Sequence, residues 1–295
     1  MRHAERGRGR ERLTLARDSR PAGWADDRSA LRAACEPGVG LCTIIGIEGS
    51  FSRRVGAQLA VHPDGMITGS LADGCLEKQL ASEIAAAEGP VVKRFGAGSE
   101  LIDFRLPCGS GLDVLIDPEP DRDLCRAAVD RLEAREEAVL VLPAHGLAMR
   151  RYIPALRLQL FGEGPELQAL VALAAAAGVE ASAHGKDALA LGRRPAGLAA
   201  DPWTAVVLLF HDHEWEQPIL EWALDTPAFH IGAQGGFEAR RSRLERLAER
   251  RVPPEQLSRI RSPVGVIARS REPGVLALSV LAEIVGEYEA LHPHG

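Results

Sequence analysis

Three glycine-containing stretches carry the residue types best suited to hold an anion or a soft metal centre. They span residues 48–58, 69–80 and 106–116. Glycines at strand ends let the backbone turn at positive φ and let amide N–H groups approach a ligand closely. In the second stretch, a glycine loop leads directly into a predicted helix over 73–87, which places Cys75 in or just before the first turn. Unpaired N–H groups and the helix dipole at that position favour a thiolate or a phosphate.

The cysteines also have a plainer interpretation. Cys75 suits a small buried side chain at a helix start equally well, and spacing alone does not decide between the two. Cys108, at the entry to an apolar strand, is by its context alone more typical of a buried structural cysteine. The remaining three have no glycine context and are predicted to be structural: Cys35, Cys42 and Cys125.

The spacing of the cysteines excludes two common frameworks. No pair has CxxC spacing, and no cluster of His and Cys has the spacing of zinc ligands. Five is an odd number, and the chain shows no secretory segment. We therefore predict reduced thiols and a cytoplasmic location rather than a disulfide framework.

Short strands and one helix surround the three stretches. This pattern predicts an N-terminal α+β domain over residues 26–154. Within it, the runs GAQLAVH and MITGS, separated by Pro63-Asp64-Gly65, predict a β-hairpin. Residues 1–25 are rich in arginine but also contain acidic residues, and we predict a disordered basic tail there.

Strands alternate with helices over residues 155–295. This order predicts an α/β Rossmann-like domain with a parallel sheet, and the uniformly apolar run AVVLLF is typical of a strand covered on both faces. The helices predicted here include 218–224 and 254–260. A chain of 295 residues is also long enough for two domains.

Composition excludes several classes of partner. Hydrophobic residues make up 46% and charged residues 26%, as in ordinary globular proteins. The net charge of −6 and the aromatic content of 4% argue against a nucleic acid partner. No apolar run approaches the roughly 18 residues of a membrane span. We therefore predict no nucleic acid and no membrane as partners.

The turn FGEGPEL after the first strand of the second domain resembles a dinucleotide-binding loop but departs from it. Glu163 and Glu166 put carboxylates where a pyrophosphate would lie, and Pro165 removes an amide donor. Two unit charges about 4 Å apart repel by roughly 4 kcal/mol at an effective dielectric near 20. The next strand ends in His184-Gly185 rather than in an acid for the ribose hydroxyl. We therefore expect no NAD(P) binding.

Two polar clusters in the second domain have a functional and a plain interpretation. The run 211–213, His-Asp-His, follows a parallel strand and would form a metal site with a further ligand, but an exposed loop is the favoured interpretation. An arginine cluster is predicted to form a solvated helix face unless a phosphate lies nearby: Arg240, Arg241 and Arg243.

The three glycine-containing stretches resemble the signature of the XdhC/CoxI family, whose members assist the maturation of molybdenum hydroxylases such as xanthine dehydrogenase. The family pattern EGSxPRxxGA is similar to EGSFSRRVGA here, with Ser52 in place of proline. The second pattern, close to GSxSGGCxE, is similar to GSLADGCLE, where Ala72 and Asp73 replace a serine and a glycine. The third, CGGxLDV, is similar to CGSGLDV, with one small residue shifted.

The resemblance continues through the second domain. The run SPVGVIARSREPGVLALSVLAEIV is similar to the family's closing PIGLxIGAxTPxEIAxSIxAEI, and HIGAQGG is similar to its glycine-alanine strand end. It covers about residues 41–291. Several motifs in the right order are far more specific than any one of them.

The resemblance implies a maturation factor that binds molybdenum cofactor and delivers it to an apo molybdenum hydroxylase of the xanthine dehydrogenase or CO dehydrogenase type. Arg53 and the helix-start amides suit the cofactor's phosphate, and Cys75 and Cys108 suit its thiophilic metal. Glu77 or Asp113 would receive the pterin's ring N–H groups. The implied cofactor-binding residues are Ser50, Arg53, Gly69, Ser70, Gly74, Cys75, Glu77, Cys108, Gly109 and Asp113.

Such a protein hands on a ligand, so it requires no turnover. The client hydroxylase is the implied partner, and we also predict a cysteine desulfurase and a second copy of the chain as partners. The alternatives are a nicotinamide-dependent oxidoreductase and a sulfurtransferase that uses a Cys75 persulfide. In a purely structural protein, Cys75 and Cys108 would be dispensable.

Overall fold

A computed structural model describes residues 27–72, 74–99, 109–210 and 212–292. The predicted tail, Cys108 and His211 lie outside these residues. Among the described helices, none combines the length and apolar character needed to cross a lipid bilayer.

The first half folds around an antiparallel sheet of five strands. Its strand order is β3-β2-β1-β5-β4. The predicted hairpin is confirmed as β2 and β3, and the carboxylate of Asp64 in its turn accepts the Met66 N–H at 2.9 Å. The strands are β1 (Gly40–Glu48), β2 (Gln58–Val61), β3 (Ile67–Gly69), β4 (Val91–Gly96) and β5 (Gly111–Asp117).

Helices cover both faces of this sheet. Alternating side chains of the strands separate two apolar clusters, because successive residues point to opposite faces. One cluster includes Leu112 and Val114 and packs against α2; the other includes Leu115 and packs against α1, α3 and a small hairpin. These elements are α1 (Asp27–Ala33), α2 (Cys75–Ala86), α3 (Arg122–Glu133), β6 (Ala138–Val141) and β7 (Met149–Tyr152).

The second half folds around a parallel sheet of five strands with the order β12-β11-β10-β8-β9. The predicted fold class, an α+β domain followed by a Rossmann-like α/β domain, is confirmed. The strands are β8 (Arg157–Gly162), β9 (Glu180–His184), β10 (Thr204–Leu209), β11 (His230–Ala233) and β12 (Ile260–Arg261).

Five helices accompany this sheet. Helices α4 and α8 pack on one face, and α5 and α6 pack on the other. The helices are α4 (Pro165–Ala176), α5 (His213–Leu224), α6 (Phe237–Glu249), α7 (Pro254–Leu257) and α8 (Pro273–Glu289).

Two of the predicted helices in this half had wrong bounds. Helix α5 begins at His213 rather than at Pro218, because Asp212 caps it and the proline is accommodated inside the helix. The predicted helix 254–260 ends at Leu257, since Ile260 pairs with β11 as part of β12.

Polar contacts join the two halves. Just after α3, Arg135 donates to both carboxylate oxygens of Asp201 at 2.7 and 3.0 Å, and these side chains are largely buried. At the end of α8, the Tyr288 hydroxyl donates to the Pro154 carbonyl at 2.7 Å. The relative position of the halves is therefore fixed by specific hydrogen bonds.

Candidate functional site

The predicted glycine-containing stretches converge at one edge of the antiparallel sheet. Glu48 at the end of β1 pairs with Gly111 at the start of β5, and Gly96 at the end of β4 pairs with Gly111 from the other side. The loop after β1 and the loop after β3 leave from this same edge. Antiparallel pairing thus gathers segments that lie up to sixty residues apart in the chain.

The loop before α2 folds around the carboxylate of Glu77. Its Oε1 accepts the N–H groups of Leu71 at 3.0 Å and Ala72 at 2.6 Å, and its Oε2 accepts that of Gly74 at 2.8 Å. Burial favours the neutral acid and would raise the pKa of Glu77, but the backbone donors together outweigh burial and lower that pKa below its ordinary value. A buried carboxylate therefore holds the loop in shape.

This arrangement changes the expected role of the helix start. The sequence analysis predicted that unpaired N–H groups of the helix start favour an anion, and in the loop directly before the helix three N–H groups already donate to the protein's own carboxylate. Glu77 is itself 6% exposed. The structure therefore gives Glu77 a structural role in the loop.

Side-chain hydrogen bonds connect the three stretches. Arg53, from the first stretch, donates through Nε to the Ser70 carbonyl at 3.1 Å and through Nη2 to the Ser70 hydroxyl at 3.3 Å. Ser110, from the third stretch, donates its hydroxyl to the carbonyl of Ser50. The first stretch is thus bonded to both of the others.

Cys75 is the first residue of α2 and is exposed. The glycine before it has φ of +98°, and a Cβ added there would meet no other atom within 4 Å. Gly109 is likewise exposed, with φ of +69° and open space beside it. Gly69, in contrast, is needed for packing, since a Cβ there would lie 2.7 Å from the Gln58 carbonyl. Because Cys75 is exposed, its interpretation as a small buried side chain is wrong.

Asp113 does not join the residues on α2. Its side chain lies on the face of the sheet that packs against α3, opposite α2, as the alternation around Leu112 and Val114 requires. Arg94 donates to its Oδ2 at 2.9 Å and also contacts Glu48. The sequence analysis missed this ion network, because it depends on the register that places Arg94 of β4 opposite Asp113 of β5.

In the second domain, charged side chains fill the crevice where the strand order reverses between β8 and β10. Lys186 lies 3.5 Å from Glu163 and 3.6 Å from Asp212, and its ammonium group lies 5.6 Å from the centroid of the Trp215 ring. This crevice is where open parallel sheets bind nucleotides. The sequence analysis named the carboxylate of Glu163 but missed the lysine beside it.

In the two polar clusters of this domain, Arg240 and Arg241 are exposed as predicted, whereas Asp212 and Arg243 have structural contacts. Asp212 caps α5 through the Glu214 N–H at 3.1 Å. Arg243 is 5% exposed and binds Glu216 at 2.9 Å, so its prediction as part of a solvated face was wrong. Arg240 donates to the Ser262 carbonyl at 2.8 Å.

Comparison with known proteins agrees with this geometry. Residues 32–96 match the model of the XdhC and CoxI family, and residues 158–284 match that of the XdhC Rossmann domain. The chain is 33% identical to the molybdenum cofactor insertion chaperone PaoD of Escherichia coli (strain K12), over 88% of each chain. A crystal structure of a xanthine dehydrogenase from Bacillus halodurans has the same fold, with a TM-score of 0.68 and 20% identity over 91% of this chain and 97% of that one.

The fold and the site define a class of two-domain proteins in which an antiparallel α+β domain presents an exposed thiol beside a Rossmann-like domain. This chain belongs to the XdhC and CoxI family. The resemblance of its glycine-containing stretches to that family is therefore confirmed.

Proposed function

We propose that this protein binds molybdenum cofactor and delivers it to an apo molybdenum hydroxylase of the xanthine dehydrogenase or CO dehydrogenase type. The observation that carries the proposal is the convergence of three glycine-containing loops at one sheet edge, where Cys75 is exposed. The similarity to a molybdenum cofactor insertion chaperone supports the identity of the ligand.

Cys75 is the proposed contact to the cofactor's metal centre. A thiolate is a soft ligand and suits a thiophilic metal. The space beside Gly74 and beside Gly109 is open, so neither glycine blocks the approach of a ligand. Cys108 directly precedes Gly109 in the chain, and we propose it as the second thiol contact.

Arg53 is the proposed contact to the cofactor's phosphate. Its guanidinium is exposed and is held by hydrogen bonds to Ser70, so it is oriented before a ligand arrives. Three amides of the loop before α2 already donate to Glu77, and we therefore propose Arg53 as the main contact to the phosphate. Ser50, whose carbonyl accepts the Ser110 hydroxyl, would line the site on the side of the first loop.

The exposed edge suits a protein that hands its ligand on. A client enzyme can approach residues that no other element of the described chain covers, such as Cys75 and Gly109.

We further propose a cysteine desulfurase and a second copy of the chain as partners, and the cytoplasm as the location. Co-purification and mass measurement of the intact protein test the two partners.

The experiment for this proposal is to purify the protein from cells that make molybdenum cofactor and from cells that do not. Mass spectrometry of the released ligand and elemental analysis for molybdenum should give about one cofactor per chain in the first preparation and none in the second. A preparation without cofactor, or with a bound nicotinamide nucleotide instead, would contradict the proposal.

A further inference from the structure

A His-Glu-Glu cluster lies at the amino end of the parallel strands, on the opposite edge from the crevice between β8 and β10. His230 begins β11, and Glu283 and Glu287 lie one turn apart on α8. One ligand atom of each residue lies within 4.8 Å of the other two. The proposed function uses none of these residues.

The imidazole of His230 is fully buried and one of its nitrogens is unpartnered. Nδ1 lies 3.0 Å from Glu287 Oε2, whereas Nε2 has no hydrogen-bond partner among the described residues. Nε2 points toward Glu283, whose Oε1 lies 3.9 Å away. A buried polar atom without a partner is unfavourable and requires an explanation.

Both carboxylates are held so that one oxygen is left for the ring. Glu283 accepts the Gly265 N–H through Oε2, which leaves Oε1 toward Nε2. Glu287 binds Arg261 through Oε1 at 3.2 Å, which leaves Oε2 toward Nδ1. A Cβ at residue 232 would lie 2.8 Å from Nε2, so the glycine at this position avoids a close contact with that nitrogen.

The gap of 3.9 Å is too long for a hydrogen bond but suits an intervening metal ion. Bonds of roughly 2.0–2.2 Å from a metal to an imidazole nitrogen and to a carboxylate oxygen span this distance with a bent angle. If Nε2 carried a proton instead, its distance to Glu283 would still be too long for a hydrogen bond. The side chains of Glu283 and Glu287 are 16% and 30% exposed, which gives an ion access from solvent.

We propose that this cluster binds a divalent first-row transition-metal ion. Nε2 of His230 and Glu283 are the direct ligands, with water completing the coordination. Glu287 is a positioning residue, because it accepts the Nδ1–H and so fixes the ring orientation, as carboxylates beside metal-bound imidazoles do. The ion would fasten α8 to β11, and the same helix carries Tyr288, which bonds to Pro154.

The test uses the full-length protein with Zn²⁺ and Co²⁺ as probes. Calorimetric titration should show one site, and saturating Zn²⁺ at about 100 times its Kd should raise the unfolding midpoint by roughly 5–10 °C. Glu283→Gln, which keeps the acceptor for Gly265, should lose binding at least about 100-fold. Glu287→Gln should weaken it by about 10–100-fold. Glu289→Gln, on the same helix but paired with Arg54, is the control and should bind like the native protein.

The absorption spectrum of bound Co²⁺ separates this site from the thiols, because a nitrogen and oxygen site lacks the charge-transfer band of thiolate ligation. Absence of binding to the folded native protein at millimolar metal would overturn the proposal. So would binding that Glu283→Gln and His230→Gln leave intact, or a Co²⁺ spectrum with a thiolate band that Cys75→Ser removes.

Discussion

At the scale of single residues, Glu77 determines the shape of the thiol loop. One buried carboxylate accepts three backbone N–H groups within a four-residue span, and each of these groups would otherwise require another acceptor. Cys75 lies two residues away and is exposed as a consequence of this fold. Glu77 therefore determines the shape of the loop, whereas Cys75 is the residue that we propose binds the ligand.

Replacing Glu77 with glutamine should destabilise the protein by about 1–3 kcal/mol at pH 7. Both oxygens of the carboxylate accept hydrogen bonds, whereas only the oxygen of the amide does. The pKa of Glu77 is lowered in the folded state, so its stabilising contribution is fully present above its ordinary value of 4.5. It is lost as the pH falls through the lowered pKa. The difference between the two unfolding midpoints should therefore shrink below pH 4.

Thermal unfolding of the native protein, Glu77→Gln and the exposed control Glu88→Gln across this pH range measures the effect. A difference that stays constant down to pH 3, or one that the control reproduces, would show that the carboxylate does not hold the loop.

Replacing Cys75 with serine should lower the retention of molybdenum cofactor by at least about tenfold, a loss of about 1.4 kcal/mol, while leaving the unfolding midpoint unchanged. The side chain is exposed, so its packing contribution is small. Retained cofactor after gel filtration and a melting curve measure the two effects.

Cys125→Ser is the matched control. Cys125 is fully buried, and burial raises its pKa to about 12, so it remains a thiol inside the domain. The substitution should cost about 1–3 kcal/mol of stability without changing retention in the folded protein. If Cys75→Ser retained as much cofactor as the native protein, Cys75 would not be part of the binding site.

The sequence could predict that Cys75 lies at the start of a helix, but it could not predict the exposure of Cys75 or the partners of the polar residues. The approach to α2 was predictable, because a glycine loop before an apolar helix has a local signature. The bond from Arg53 to Ser70 joins two loops, and the bond from Arg94 to Asp113 joins two strands; both depend on strand pairing that the sequence pattern does not reveal. For the same reason, Asp113 was grouped with residues on the opposite face.

At the scale of elements, the turn between β8 and α4 decides whether the second domain binds a dinucleotide. Lys186 partly balances Glu163 and, with Asp212, places a cluster of charged side chains in the crevice. A pyrophosphate would have to displace these contacts and meet Glu166 in the first turn of α4. The expectation from sequence rested on the two carboxylates, on the amide donor that Pro165 removes and on the missing ribose acid, and the structure adds the contacts of Lys186.

We predict no measurable binding of NAD(H) or NADP(H) to the native protein at sub-millimolar concentrations. The double substitution Glu163→Gln, Glu166→Gln should raise affinity only slightly, because β9 ends in His184-Gly185 rather than in an acid for the ribose hydroxyl. Calorimetric titration of both proteins measures this. Micromolar binding by the native protein would instead favour the oxidoreductase alternative.

The elements themselves were largely predictable, and the misplaced ends have a physical cause. Proline commonly begins a helix, yet Pro218 lies inside α5 because Asp212 supplies an earlier cap. Ile260 continued an apparent helical pattern, but pairing with the edge of β11 makes it a strand. The secondary structure of such short segments is determined by their pairing with neighbouring strands.

At the scale of the whole molecule, the contacts between the halves hold the thiol domain against the Rossmann-like domain. Burial alone would raise the pKa of Asp201, but the Arg135 guanidinium and the Thr204 hydroxyl outweigh it and lower that pKa. The sequence predicted two domains but not their junction, since Arg135 looks like any of the chain's many arginines.

Replacing Arg135 with methionine should destabilise the protein by roughly 1–3 kcal/mol, because it leaves a largely buried carboxylate without its cation. Arg131→Met is the control: its pair with Glu136 is mostly exposed, and its loss should cost about 0.5 kcal/mol or less. Chemical denaturation measures both. Equal stability of the two variants would show that this ion pair does not support the junction.

The transfer of molybdenum cofactor from the loaded protein to an apo molybdenum hydroxylase tests the central claim most directly. The rate at which the client's activity appears is compared between the loaded protein and an equal concentration of free cofactor. A chaperone should activate the client at least about tenfold faster than free cofactor does. A rate equal to or below that of free cofactor would contradict delivery by this protein.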